Sequence, residues 1–399
     1  MQIANFTNTY LPVINGVARS VSAYRKALTE LCHNVFVFTM DAEGYQDEEP
    51  FIFRYPTLKL SYPVKFPAVI PISPFADNLL PYLKLDVIHT HHPFLLGQTA
   101  ASKAKELSLP LVFTFHTQYR EYSHYVPLPQ DVFQDFIKDA IENWLGEFMQ
   151  KCQHIIVPTH SMRHILADTY GLEERVTVIP TGIDLRRFAN ANGEAVRAEQ
   201  TWGEDTVLIS AGRLAQEKNW ETLLKAGALA MRTHPELRIV ILGDGPQRED
   251  LQAFAQEAGI AERVTFLGEV PFEEVPAYLK AADLFGFASV TETQGLVTVE
   301  AMAAGLPVAA VDAVGTRDAV EDEKQGWLTE NDSQALAEAI LRLLENPDAR
   351  QAFSQAALER AQTFDIQILA KHMLGVYQQA IEDKLAGLNV CVPRHNQLT

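Results

Sequence analysis

The stretch LFGFASVTETQGLVTVEAMAAGLPVAAV, residues 284–311, decides the architecture of this chain. It opens with the uncharged run LFGFA and closes with PVAAV from Pro307. Between them, Thr291 to Gln294 read as a loop, and Gly295 opens a helical pattern running to about Ala304. Apolar strands joined through helices imply a parallel sheet covered on both faces.

The same rhythm extends in both directions. TVLISA from Thr206, RIVIL from Arg238 and RVTFL from Arg263 precede that stretch. Earlier still come residues 1–7, NVFVFT from Asn34, DVIHT from Asp86, PLVFTF from Pro110, HIIVP from His154 and VTVIP from Val176. Helical stripes intervene, such as Val17, Val21, Tyr24, Leu28 and Leu31. Another runs through Phe133, Phe136, Ile137, Ala140, Ile141, Trp144 and Phe148. Two such sets predict an α/β protein with two doubly wound, Rossmann-like domains. The pattern lapses at TGIDLRRFANANG, residues 181–193. Domains are therefore expected over 1–185 and 186–364, followed by a helix and tail over 365–399.

Composition narrows the function. The 399 residues are 47% hydrophobic, enough for sizeable cores, and carry a net charge of −18. Residues 1–190 hold a net −3 and residues 191–399 a net −15, so the acidity belongs to the second half. So acidic a chain is a poor nucleic-acid binder, because that affinity comes from basic surface. Cys32, Cys152 and Cys391 form neither a metal spacing nor a disulfide framework, which suits a reducing compartment. No uncharged run reaches the roughly 20 residues of a membrane span. The opening MQIANFT reads as a strand rather than a signal sequence, so a cytoplasmic location is expected.

Parallel sheets bind ligands at the C-terminal ends of their strands, so chemistry belongs on the loops that follow strands. Neither a G-x-G-x-x-G nor a G-x-x-x-x-G-K-[ST] run is present. Glu292 lies before the helix that Gly295 opens, and Glu300 lies on it. A helix start suits a diphosphate, and carboxylates near it can hold sugar hydroxyls or a ribose diol. Arg213 and Lys218, in SAGRLAQEKNW, can reach one diphosphate from two sides. Gly16, between the first strand and first helix, lets backbone approach a phosphate. GDGP, from Gly243, is another turn after a strand. His116, in FHTQY, can hydrogen-bond a hydroxyl or donate a proton.

Each residue taken alone has an ordinary alternative. Glu300 can be a solvated helix residue, and the cations can pair with Glu217 or Glu221. Gly16 can be a plain turn glycine, and His116 a structural histidine. His89, His91 and His92 invite a metal reading, but no Asp or Cys clusters with them. Alternation along the strand places His89 and His91 on one side and His92 on the other.

Taken together, TETQGLVTVEAMAAGLPV, GRLAQEKN and PTGIDLRRF resemble a family 4 retaining glycosyltransferase of the GT-B fold. TETQGL, HTQYREYSHYVPLP and IHTHHPFLLG further resemble bacterial diacylglycerol glycosyltransferases, with Val290 standing where that subgroup suggests Lys. The resemblance implies two domains facing across a cleft, with the 365–399 helix crossing back onto the first. Arg213, Lys218 and the Gly16 backbone would hold the diphosphate of a UDP-sugar donor, and Glu300 its ribose. Glu292 and the amides of Gly295, Leu296 and Val297 would hold the sugar and β-phosphate. His116 would contact the sugar's 6-hydroxyl. No cofactor and no metal are implied, because the cations and the helix start supply the charge.

A lipid acceptor and an anionic membrane surface are the expected partners, with peripheral attachment to the inner face of a membrane. Residues 54–84 mix Arg54, Lys59, Lys65 and Lys84 with Tyr55, Tyr62, Phe66 and Phe75. Arg19, Ser22 and Lys26 fall on the polar side of the first helix, near Arg25. Three rivals stay open: a soluble sugar or polyol acceptor, a nucleotide-sugar epimerase or hydrolase, and a non-catalytic binding module.

Overall fold

The computed structural model describes residues 1–13, 15–58, 68–69, 73–117 and 130–392. They form two compact units, Met1–Gly182 with Ile366–Thr399, and Ile183–Asp365.

The first unit contains β1 (Gln2–Phe6), β2 (Asn34–Met40), β3 (Ile52–Tyr55), β4 (Thr57–Leu58), β5 (Ala68–Val69), β6 (Val87–Thr90), β7 (Leu111–Thr114), β8 (His154–Val157) and β9 (Val176–Val178). Seven strands form one sheet in the order β3-β2-β1-β6-β7-β8-β9, and β4 pairs with β5 apart from it. The second unit contains β10 (Thr206–Ala211), β11 (Leu237–Leu242), β12 (Val264–Gly268), β13 (Leu284–Phe287), β14 (Val308–Val311) and β15 (Gly326–Thr329). Their order is β12-β11-β10-β13-β14-β15. All pairings within these two sheets are parallel.

The apolar runs became the inner strands because both of their faces are covered. Val207, Leu208 and Ile209 have no exposed surface, nor do Ile239, Val240 and Ile241. Burying each such side chain contributes about 1.5–3 kcal/mol. The edge strands β3 and β15 were not anticipated from the sequence. IFRY and GWLT are only partly buried, and a strand with one neighbour needs no unbroken apolar run.

Caps fix where several helices begin. The Asn15 side chain accepts from the Ala18 amide, and Thr159 from that of Met162. The Asp332 carboxylate accepts from Gln334 and Ala335. The last helix, Ile366–Leu385, packs its Ile366, Leu369, Ala370, Met373 and Tyr377 on the first unit. They meet Tyr24 and Leu28 of the first helix, Gly16–Glu30, and Ile3 and Val87 of the sheet. Gly182 permits this return, since a Cβ there would lie 2.7 Å from the Cα of Ile366. No helix among the described residues is long and apolar enough to cross a membrane.

Candidate active site

In the second unit, β10 and β13 are neighbours whose connections lead to opposite edges of the sheet. Such a switch point leaves a crevice at the strands' C-terminal ends. The loop after β10 carries Arg213 and Lys218, and the loop after β13 carries Glu292. Lys218 donates a hydrogen bond to Glu292 Oε1 as a half-buried ion pair. This corrects the surface alternative for Lys218, because Glu221 instead pairs with Lys225 one helical turn on. The two loops are stitched together. Ser289 and Thr291 hydroxyls donate to the Glu217 carbonyl, and the Asn219 amide donates to that of Ala288.

Neighbouring loops brace this pair. A Cβ on Gly243 would lie 2.0 Å from the Gly212 carbonyl oxygen, so the GDGP turn is built to meet the loop after β10. Gly315, with φ +82°, rests where a Cβ would meet Glu292 O at 2.6 Å and Gln294 N at 2.8 Å. Gly295 adopts φ +69° as the cap of the helix Leu296–Ala303. The Thr298 amide already closes the first turn on the Gly295 carbonyl at 3.0 Å, so an anion would meet this helix at the amides of Gly295, Leu296 and Val297. Arg213 is exposed; its carbonyl accepts from the Trp220 indole at 2.9 Å.

Glu300 is not a solvated helix residue. It is 2% exposed and lies 3.8 Å from the guanidinium of Arg187. Arg187 in turn covers the ring of Phe272 at 3.5 Å and donates to the Phe272 carbonyl. Arg187 lies in the DLRRF run at the joint between the units, where the sequence alone assigns it no role. The signal was its place in a motif set far from Glu300 in the chain. The structure thus joins Lys218 to Glu292, and sets Gly295, Leu296, Val297 and Glu300 on one loop and helix.

In the first unit, β1 and β6 form the corresponding switch point. Gly16 begins the first helix directly after the cap Asn15. It is exposed, and a Cβ there would meet nothing within 4 Å. His116 follows β7 and is half-buried, its Nε2 2.9 Å from His91 Nδ1. His91 and His89 share one side, with ring centres 4.2 Å apart, whereas His92 turns away to accept from the Asn8 amide. His89 bridges the hydroxyls of Thr114, at 2.7 Å, and Tyr377, at 2.8 Å. Burial pushes His89 and His116 down to about 3 and His92 to about 4, with His91 also well below its usual value. Among the described residues, no group of three or more His, Cys, Asp or Glu is placed to hold a metal ion.

Some of the basic and aromatic residues expected at a membrane surface are engaged inside the fold. Arg54 forms a bidentate pair with Asp47, Tyr55 is fully buried, and Arg25 pairs with Glu49. Phe75, at 70% exposure, and Lys84 do face outward. Lys59, Tyr62, Lys65 and Phe66 lie outside the described residues, as do 118–129 of HTQYREYSHYVPLP and the side chains of Phe133, Phe136 and Ile137.

Comparison with known proteins shows the family to which the chain belongs. The family model "Glycosyltransferase Family 4" matches residues 14–187, and "Glycosyl transferases group 1" matches residues 193–360. The alpha-monoglucosyldiacylglycerol synthase of Streptococcus pneumoniae is 33% identical, over 87% of this chain and 79% of that one. The enzyme of the same name from Acholeplasma laidlawii is 30% identical, over 98% of this chain and 100% of its own. Among solved structures, sucrose-phosphate synthase from Thermosynechococcus elongatus superposes with a TM-score of 0.77 at 22% identity, covering 96% of this chain and 100% of that one. HepE of Anabaena, in complex with UDP, gives 0.75 at 19% identity, over 95% and 100%. The chain is a hexosyltransferase of the GT-B fold and belongs to glycosyltransferase family 4, together with bacterial alpha-monoglucosyldiacylglycerol synthases.

Proposed function

We propose that this enzyme transfers glucose or galactose from a UDP-sugar to a membrane glycerolipid, with diacylglycerol as acceptor, forming an alpha linkage with retention. The observation that carries this reading is the likeness to two monoglucosyldiacylglycerol synthases over nearly the whole chain. The Lys218–Glu292 pair beside an open helix start supports it chemically. Solved neighbours described with UDP and with UDP-glucose support the donor class.

In this reading, Arg213, Lys218 and the amides of Gly295, Leu296 and Val297 balance the charge that grows on the departing phosphate. The Gly16 backbone also approaches the diphosphate. Glu300 holds the ribose diol, Glu292 the sugar hydroxyls, and His116 the 6-hydroxyl. The bond from C1 to the phosphate oxygen breaks as the acceptor oxygen bonds C1 on the same face. The acceptor proton passes to the departing phosphate oxygen. No metal enters the scheme. Exposed Phe75, Tyr82, Lys26 and Lys84 on the first unit suit attachment to an anionic bilayer.

The test is incubation with UDP-glucose or UDP-galactose and diacylglycerol vesicles. The product is identified by mass and by its anomeric proton coupling. An alpha-hexosyl diacylglycerol is expected. A beta product, free sugar alone, or transfer only to a water-soluble acceptor overturns the reading.

A further inference from the structure

Beneath His116 lies a cavity of about 10 Å³, room for about one water, lined by polar groups from several elements of the first unit. They include Asn5 of β1, His89 and His91 at the end of β6, and Thr114 at the end of β7. Asn5, His89, His91 and Thr114 are each at most 5% exposed. No carboxylate lines the cavity. Buried polar groups must be hydrogen-bonded, so the direction of each bond here is constrained.

His91 is held at both ring nitrogens. Its Nε2 faces Asn5 Oδ1 at 3.5 Å, and its Nδ1 faces His116 Nε2 at 2.9 Å. With Asn5 presenting Oδ1, an oxygen that only accepts, to the ring, the proton of neutral His91 belongs on Nε2. Its Nδ1 is then a lone pair, and His116 must donate Nε2–H to it. That leaves His116 Nδ1 unprotonated. The reverse arrangement would set His91 Nε2 and Asn5 Oδ1 against each other as two acceptors.

We infer that His91, aligned by Asn5, is a positioning residue that fixes His116 as a neutral hydrogen-bond acceptor toward a substrate hydroxyl, rather than as an acid. The inference rests on the glycosyl-transfer reading for its substrate, but the proton positions stand without it. The titratable groups around His91 are His89, His92 and His116, with Tyr24 of the first helix and Tyr377 of the last. None is an acid able to hold an imidazolium, and burial disfavours the charged form of every ring.

The test reads protons first and turnover second. The full-length enzyme is labelled with ¹⁵N-histidine, and the His116 signals are assigned by their absence in His116→Gln. In the free enzyme near neutral pH, Nε2 is expected to be protonated and Nδ1 bare. In His91→Phe the two tautomers of His116 should mix, while UDP affinity holds and kcat/KM falls about tenfold, as for one lost buried hydrogen bond. Asn5→Leu, which keeps the His91 ring, should cause the same mixing if His91→Phe does not fold. A proton on His116 Nδ1 in the wild type overturns the inference. Signals unchanged in a folded His91→Phe or Asn5→Leu protein also overturn it. Absence of transfer by the wild type with the expected tautomer intact counts instead against the glycosyl-transfer reading.

Discussion

The guanidinium of Arg187 stands 3.8 Å from the buried carboxylate of Glu300 while its central carbon lies over the ring of Phe272, 3.5 Å from the ring centre. A carboxylate with 3% of its side chain exposed needs a counter-charge, and here a residue more than a hundred positions away provides it. The place of the proposed ribose-binding carboxylate is therefore tied to Arg187.

Arg187→Ala is accordingly expected to weaken UDP binding about tenfold, as the loss of the partner of a buried charge does. Glu300→Ala should do the same and mostly raise the donor KM. Because the two act as one unit, the double variant should be little worse than either single one. Isothermal titration with UDP checks this, and wild-type affinity in Arg187→Ala or in Glu300→Ala contradicts it.

Lys218 and Glu292 also form an ion pair, and the proposed reading sets them beside the departing phosphate. Lys218→Ala and Arg213→Ala should each lower kcat by roughly a hundredfold, the scale of losing one group that stabilises transition-state charge. Glu292→Ala should depress turnover and also blur the choice between UDP-glucose and UDP-galactose. Single-turnover rates with both donors measure it; rates equal to wild type remove the assignment.

Gly16 and Gly315 should differ in how a methyl group affects stability. At Gly16 a Cβ meets nothing within 4 Å, so Gly16→Ala should leave the melting temperature unchanged yet raise the donor KM by obstructing the phosphate. At Gly315 the Cβ would strike Glu292 O and Gln294 N at φ +82°, so Gly315→Ala should lower both melting temperature and activity. Normal kinetics in Gly16→Ala would end its donor role.

The buried histidines predict an acid-side loss of stability. Folded values near 3 for His89 and His116 and near 4 for His92 lie below the unfolded value of 6.5. As pH falls from that value, the unfolded chain takes up protons that the folded chain refuses. Stability therefore declines toward acid, by about 1.4 kcal/mol per pH unit for each fully shifted group. Denaturant midpoints measured across that window should fall, and His89→Gln should flatten the decline. A level profile in the wild type would refute it.

Membrane attachment should depend on the exposed aromatic pair. Co-sedimentation with anionic vesicles at low salt is expected for the wild type and is expected to drop several-fold in Phe75→Ser/Tyr82→Ser, which removes buried apolar area. No binding by the wild type would discard the membrane surface as a partner.

Much of this is legible in the amino-acid sequence. The run 284–311 announces strand, loop, helix and strand because its inner strands are apolar on both faces and its loop is polar. Glu292, Gly295 and Glu300 could be named because one loop and one helix carry them. Less visible were β3 and β15, whose edge positions require no such run. Arg54 and Arg25 read as surface cations because a sequence displays charge without its partner, here Asp47 and Glu49.

Local pattern alone, then, settles element type and loop position in this chain, since period and turn chemistry are properties of neighbouring residues. Pairings across long sequence separations followed only from folding. Lys218 with Glu292, Arg187 with Glu300, and His91 with His116 each join residues from separate segments. Their selection depended on strand order and on glycines such as Gly243 and Gly315, which let one loop lie against another. Which charge meets which is a matter of distance in space, and no spacing along the chain encodes it.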